Sequence, residues 1–159
     1  MEFSIREANQ RDYEGLCRVF AEGDTFHSEA LPYVFRKFDG PARTKEYISS
    51  IIVDENAGLF VAESAGQIIG AIHILIRETP NIPIMVPRRY AVIENLVVMK
   101  RFRRSGVGQS LVKRAEQWAM NKNVIQVELN VWEFNKGAIA FYEKLGYRTA
   151  SRKIWKWLK

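Results

Sequence analysis

The chain has 159 residues, 47% of them hydrophobic and 26% charged, with a net charge of +6. That length and balance suit one globular domain over residues 1–159. They leave no run long and apolar enough for a bilayer, since Ile68–Ile76 is short and broken by His73. One cysteine and two histidines rule out an internal disulfide and any usual zinc ligand set, so no metal is expected.

Met1–Ile5 lacks the basic start and long apolar core of a signal peptide, so a cytoplasmic location is the default expectation. Phe3 and Ile5 alternate with polar residues and predict a first strand. Asn9 or Asp12 then caps a helix running to about Glu22, with Gly23 as its stop. Cys17 shares helical spacing with Tyr13, Leu16 and Phe20, the pattern of a buried face. Asp24–Arg43 holds Pro32, Gly40 and Pro41 and reads as irregular. A second helix is expected over Thr44–Val53.

Leu59–Glu63 and Gln67–Ile76 predict two strands joined by a tight turn at Ala65-Gly66. Three prolines make Arg77–Arg89 a loop. Tyr90–Met99 reads as a strand, Val107–Met120 as a helix, Val124–Trp132 as a strand and Asn135–Leu145 as a helix closed by Gly146. Tyr147–Leu158 looks like one or two final strands. The alternation argues for an α/β fold with a mixed sheet and helices on its faces.

The chemistry concentrates in Arg103-Arg104-Ser105-Gly106-Val107-Gly108, a basic, glycine-bearing turn between strand and helix. A helix's first turn has backbone N–H groups without partners and a partial positive charge, so it favours an anion. Glycines let that anion approach the backbone; Arg103 and Arg104 add charge, and Ser105 and Ser110 offer hydroxyls. The turn lacks the Gly-Lys-Ser/Thr of a P-loop and the third glycine of a dinucleotide fold.

Ile93-Glu94-Asn95-Leu96-Val97-Val98 followed by this turn resembles the acetyl-CoA motif of the GNAT (GCN5-related) N-acetyltransferase superfamily, Arg/Gln-x-x-Gly-x-Gly/Ala after a strand. A second block, Asn135, Ala138 and Phe141-Tyr142-Glu143-Lys144-Leu145-Gly146-Tyr147, resembles the family too, so the likeness spans about Tyr90–Tyr147. It implies a GNAT-like mixed central sheet of six to seven strands flanked by about four helices, and acetyl-CoA as donor cosubstrate. The pantetheine arm would lie where the fourth and fifth strands splay, against Leu96, Val97 and Val98. The diphosphate would rest on Arg103, Arg104, Ser105, Gly106, Val107 and Gly108, with Gln109 and Ser110 behind them. Asn130, Asn135, Ala138 and Phe141 complete the cofactor set.

Acetyl transfer needs a neutral amine, a polarised thioester carbonyl and a proton for the leaving thiolate. The resemblance implies Glu94 as base, and by strand parity it shares a face with Leu96 and Val98. A strand glutamate paired with a nearby arginine is the structural alternative. The Val98 N–H can polarise the carbonyl. Tyr142 matches the family's general acid, although its place in the stripe Ala138-Phe141-Tyr142-Leu145 is equally that of a core tyrosine. Glu128, on a strand face with Asn130, is the reserve base. Asp24 and His27, in the segment that selects substrates in the family, are the candidates for the acceptor side, together with Glu128.

The leading expectation is therefore an N-acetyltransferase acting on a primary amine of a small molecule or peptide. Two other classes compete. A non-catalytic acyl-CoA-binding or regulatory module would need no Glu94 or Tyr142. A nucleic-acid-binding protein using Lys100–Arg104 would show stacking platforms or a recognition helix that are not evident, so no nucleic acid is expected. Trp155 and Trp157 alternate with Lys156 and suit either the core or the surface of a homodimer.

Overall fold

The computed structural model describes residues 1–159. In chain order, β1 (Ser4–Glu7) leads through a short turn of helix to α1 (Tyr13–Ala30) and α2 (Lys45–Val53). Three strands follow: β2 (Ala57–Ser64), β3 (Gln67–Glu78) and β4 (Arg89–Val98). Then come α3 (Val107–Asn121), β5 (Val127–Leu129) and α4 (Lys136–Lys144). The strands form one sheet in the order β1-β2-β3-β4-β5, antiparallel as far as β4, with β5 parallel to β4.

The mixed sheet and four helices are as anticipated, but the sheet has five strands rather than six to seven. Residues 146–159 form no ladder, because no backbone group from Arg148 onward bonds to another backbone group. The strand expected over Val124–Trp132 shrinks to Val127–Leu129, the only residues that stay beside β4.

The apolar residues divide between the two faces of the sheet. On one side Ile69, Ile72, Ile74, Ala91 and Ile93 meet Val107, Leu111, Ala115 and Trp118 of α3 and Tyr142 of α4. On the other, Leu59, Val61, Ile68 and Ala71 meet Leu16, Val19 and Phe20 of α1 and Ile48 and Ile51 of α2. Cys17 is only half-buried beside this second layer. At about 25 cal/mol per Å² of apolar surface, these two layers are the main stabilising term.

Helix α1 runs eight residues past its expected end. Gly23 is not a stop: a Cβ there would lie 3.0 Å from a methyl of Val97, so glycine serves close packing of α1 on β4. The start of α1 is pinned by charge. Arg6 gives two hydrogen bonds to Asp12 (2.8 and 2.9 Å) and one to Glu63 (2.7 Å). The guanidinium holds the Asp12 carboxyl below its ordinary range, despite the opposing effect of burial. Asn9 caps the preceding turn through Arg11 N–H, whereas Asp12 makes no cap bond to α1. Thr44 caps α2 (3.0 Å to Tyr47 N–H), and Ala65-Gly66 forms the β2–β3 turn with φ of 50° and 75°.

Candidate functional site

The site begins with an irregularity in β4. His73 pairs with Asn95 but Ile74 pairs with Ile93, so Glu94 is an extra residue, a β-bulge. Side chains alternate along a strand, and one inserted residue shifts that alternation. Ala91 and Ile93 face α3 before the bulge; Leu96 and Val98 face it afterwards, while Val97 packs on the α1 side.

Glu94 consequently does not share the face of Leu96 and Val98, as uninterrupted parity required. It turns to the α1 side, where Arg77 donates to it at 3.1 Å. Buried His73, on the same side, feels its charge. The imidazole is nonetheless pushed below its ordinary value, chiefly by burial, with Arg43 acting in the same direction and Glu94 and Asp54 against it. Nothing in the spacing of the sequence marked His73 as a neighbour of Glu94; only the register places it there.

The bulge also reorients the backbone. Before it, Ala91 N–H bonds to Gln126 O beyond the far edge of β4; after it, Met99 N–H bonds back to Ile69 O on β3. By alternation the N–H groups of Leu96 and Val98 point away from β3. There they meet no strand, because the β4–β5 pairing ends at Ile93↔Leu129. The ladder between the two parallel strands ends at this point and leaves the later part of β4 with an unpaired edge, to which an extended ligand could bond like a strand.

The basic turn follows the end of this edge. Arg104 (φ 61°) and Gly106 (φ 87°) both adopt left-handed backbone, folding the turn into a concave run of N–H groups ahead of α3. Gly106 is the N-cap of α3 and has no side chain to occupy the first-turn donors; space above it is open to 4 Å. Gly108 has another task, since a Cβ there would meet the Phe141 ring at 3.3 Å, so it lets α4 pack on α3.

The basic side chains also divide. Arg103 Nε donates to Val98 O (3.1 Å) and braces the turn. Arg101 reaches away to Gln67 (3.2 Å), and Lys100 N–H bonds to Glu22 (2.9 Å). Arg104 makes no such bond. The Ser105 hydroxyl is engaged by Phe102 O, so it does not serve as a free donor, while Ser110 N–H bonds to Gly106 O within the first turn. Val107 is buried under the turn; Gln109 is exposed on α3.

From the α4 side, Asn135 accepts from Ala138 N–H at 3.1 Å and caps the helix. Tyr142 is buried between Phe141 (centroids 5.1 Å) and Tyr147 (5.4 Å). Burial raises its phenol well above the ordinary value of 10.0, so it holds its proton throughout the neutral range. Tyr147 donates to Glu116 at 2.8 Å. Glu94 and Tyr142 thus stand on opposite faces of the sheet.

Two acceptor-side candidates are tied up. Asp24 receives two hydrogen bonds from Arg43 (2.9 and 3.3 Å), and Glu128 lies 3.7 Å from Arg88. Asn130, just past β5, is exposed. His27 Nδ1 lies 2.8 Å from Gly23 O and must donate to it, which leaves Nε2 as acceptor in the neutral ring.

His27 belongs to a run of aromatic rings. Phe26 contacts Phe134 (5.6 Å); His27 contacts Phe134 (6.0 Å) and Phe35 (5.3 Å). Phe35 contacts Trp132 (5.7 Å), Trp132 contacts Trp155 (5.6 Å), and Tyr33 contacts Trp157 (5.5 Å). These rings come from α1, the loop after it, the segment after β5 and the C-terminal segment, regions that no single stretch of sequence joins.

The profile of the acetyltransferase (GNAT) family matches residues 11–147. An N-alpha-acetyltransferase of Sulfurisphaera tokodaii is 28% identical over 153 residues, covering 92% of this chain and 81% of that protein. N-acetyltransferase 8 of Rattus norvegicus is 29% identical over 106 residues, 66% of this chain; the matched part is 44% of that longer protein. Among solved structures, a single-site mutant of the BH1408 protein from Bacillus halodurans superposes with a TM-score of 0.93 at 26% identity, covering 98% of this chain and 99% of the other. No helix is long and apolar enough to cross a membrane, and no group of three or more His, Cys, Asp or Glu side chains is gathered for a metal.

Proposed function

The chain belongs to the acetyltransferase (GNAT) family, and from that premise we propose that it moves the acetyl group of acetyl-CoA directly onto a primary amine. Family members use acetyl-CoA and an acceptor. The observation that carries the reading here is the gap that opens after Ile93↔Leu129, edged by the N–H groups of Leu96 and Val98 and ended by the concave turn at Gly106. Its chemistry suits a pantetheine arm with a diphosphate at one end. Arg104 supplies the countercharge.

With the thioester in the gap, the two sheet faces take different tasks. The amine approaches from the α1 face, where Glu94 accepts its proton directly or through a water. The amine nitrogen attacks the carbonyl carbon, whose oxygen accepts from Val98 N–H. As the C–S bond breaks, the thiolate takes a proton from Tyr142 on the α3 face; Glu94 then releases the amine's proton to solvent, and solvent returns a proton to the phenol. A primary amine with a pKa near 10 is mostly protonated at neutral pH, so the base matters most there. Arg77 holds the Glu94 carboxylate in place.

The acceptor side is lined by rings rather than carboxylates. Asp24 and Glu128 are neutralised by Arg43 and Arg88, so a polycation finds little free negative charge. The run from Phe26 to Trp157 suits an amine carried on an apolar or aromatic body, such as a peptide amino terminus with a large first side chain, and its cation can rest on ring faces. Two measurements test the proposal: titration of acetyl-CoA into the protein, and thiol release from acetyl-CoA across small amines, polyamines and peptides. Saturable acetyl-CoA binding with turnover on apolar amines is expected. Failure to bind acetyl-CoA would overturn it; turnover restricted to polycations would overturn the acceptor class alone.

A further inference from the structure

Apart from tyrosine, three polar side chains are buried: Asp12, Ser28 and His73. Two of them have partners within the chain. Asp12 accepts from Arg6, and the Ser28 hydroxyl donates to Thr25 O at 3.1 Å. His73 is 5% exposed, yet no group of the chain bonds to its ring. No buried side-chain nitrogen or oxygen is sealed off without a partner, so the ring nitrogens of His73 open onto water.

The ring lies beside the bulge. By alternation His73 faces the α1 side together with Ala71. Asn95 is directly opposite, and residues so paired in an antiparallel ladder hold their Cβ atoms about 5 Å apart. Asn95 follows the extra residue Glu94 and faces the same side as Val97. Its amide, like the imidazole, bonds to nothing in the chain. Arg77 occupies Oε1 of the neighbouring Glu94 carboxylate and leaves Oε2 free.

The other elements over this patch are mostly apolar. Strand β2 sets Leu59 beside His73, and α1 covers the face with Leu16, Val19 and Phe20. The charges that act on the ring are Glu94, Arg43 ahead of α2 and Asp54 after it; Asp24 of α1 is paired with Arg43. Burial is the largest influence, and it leaves the ring uncharged at neutral pH and able to accept a proton.

Given acetyl transfer with Glu94 as base, on which the inference rests, we propose that His73 is the relay that empties Glu94 after each transfer. With Asn95 it holds a water against Glu94 Oε2. These are three partners for one water, about the number a buried water ordinarily has. The amine's proton, taken by the carboxylate as the C–N bond forms, passes through that water to the imidazole. The imidazolium then gives a proton to solvent, which restores the carboxylate and the neutral ring together. His73 touches neither amine nor thioester and acts only through Glu94.

The test measures kcat at saturating amine against pH for the full chain and for His73→Gln and His73→Leu, with acetyl-CoA affinity read by calorimetry. In the unaltered chain kcat should fall as pH drops through a value below 6.5, because an imidazolium cannot accept the proton. Above that value both variants should turn over about tenfold more slowly, without that acid limb, and keep acetyl-CoA affinity within about twofold. Added imidazole should restore part of their turnover and leave the unaltered chain unchanged, since a mobile base can replace a relay but not a packing residue. His73→Leu removes a buried polar group from an apolar layer and should fold at least as stably, so the comparison does not depend on the glutamine variant. Variants with the kcat and pH profile of the unaltered chain overturn the relay alone, and so does a lost kcat that added imidazole does not raise. Absence of acetyl transfer by the unaltered chain overturns the proposed function and the relay with it.

Discussion

The proposed donor side and the proposed acceptor side of this molecule are made of different materials. Around the gap between β4 and β5, nearly every group offered to a ligand is backbone: the N–H groups of Leu96 and Val98, and the turn from Arg104 to Gly106. Around the proposed acceptor side the groups are side chains, eight rings drawn from four separate segments. Backbone recognition is set by strand register and by two positive φ angles, so it survives wide changes in side chains. Recognition by rings changes with each substitution.

That contrast can be broken in graded steps. The largest effect is expected at the turn. Gly106→Asp sets a carboxylate over the concave N–H run and forces a side chain into φ 87°. Affinity for acetyl-CoA, read by calorimetry, should fall about 100-fold, or roughly 3 kcal/mol. Gly106→Ala carries the same backbone strain without the charge and should lose distinctly less. Equal losses would mean that shape alone, rather than anion binding, governs the turn.

Next comes Tyr142→Phe, which should lower kcat by about 10- to 100-fold while leaving acetyl-CoA affinity within about twofold. Because burial lifts the phenol above its ordinary value of 10.0, kcat should show no alkaline decline from Tyr142 below that pH. Unchanged turnover would return Tyr142 to the core as a packing residue.

A smaller loss, about tenfold in kcat/KM at neutral pH, is expected for Glu94→Gln. The deficit should narrow as pH rises toward the pKa of the amine, where base assistance is less needed. A deficit independent of pH would point to a positioning role for the Glu94–Arg77 pair. The smallest effect belongs to the rings: Trp132→Ala should raise the acceptor KM severalfold, about 1 kcal/mol, and leave acetyl-CoA binding untouched. A matching loss in acetyl-CoA affinity would erase the distinction between the two sides.

The same division explains what the sequence made legible. The turn and its helix are contiguous, so residues 103–110 carry their geometry in local chemistry, and Asn135 caps its helix as its type and position imply. Helix lengths were harder. Gly23 carries the mark of a helix end, yet its meaning is contact with Val97, seventy-four positions away in the chain. The face of Glu94 could not be read from alternation, because a bulge leaves no local signature and appears only when β3 is laid beside β4. The aromatic run was invisible for the same reason. Phe26, Phe35 and Trp132 are ordinary core candidates until the sheet brings their segments together. At Tyr147–Leu158 the composition favours one or two strands, but none forms there, because composition cannot say which edge a strand will meet.

The extra residue in β4 also constrains how the protein can change. Glu94 can be exchanged for another side chain at the cost of whatever it does chemically. It cannot be deleted, because losing one position would return β4 to a single reading frame. Leu96 and Val98 would then trade places with Val97, apolar side chains on both faces would meet the wrong layer, and the donors now turned to the gap would face β3 instead. Length in this strand is therefore held more tightly than identity. In a deletion series, position 94 should behave like a core residue even though its side chain is partly exposed to solvent.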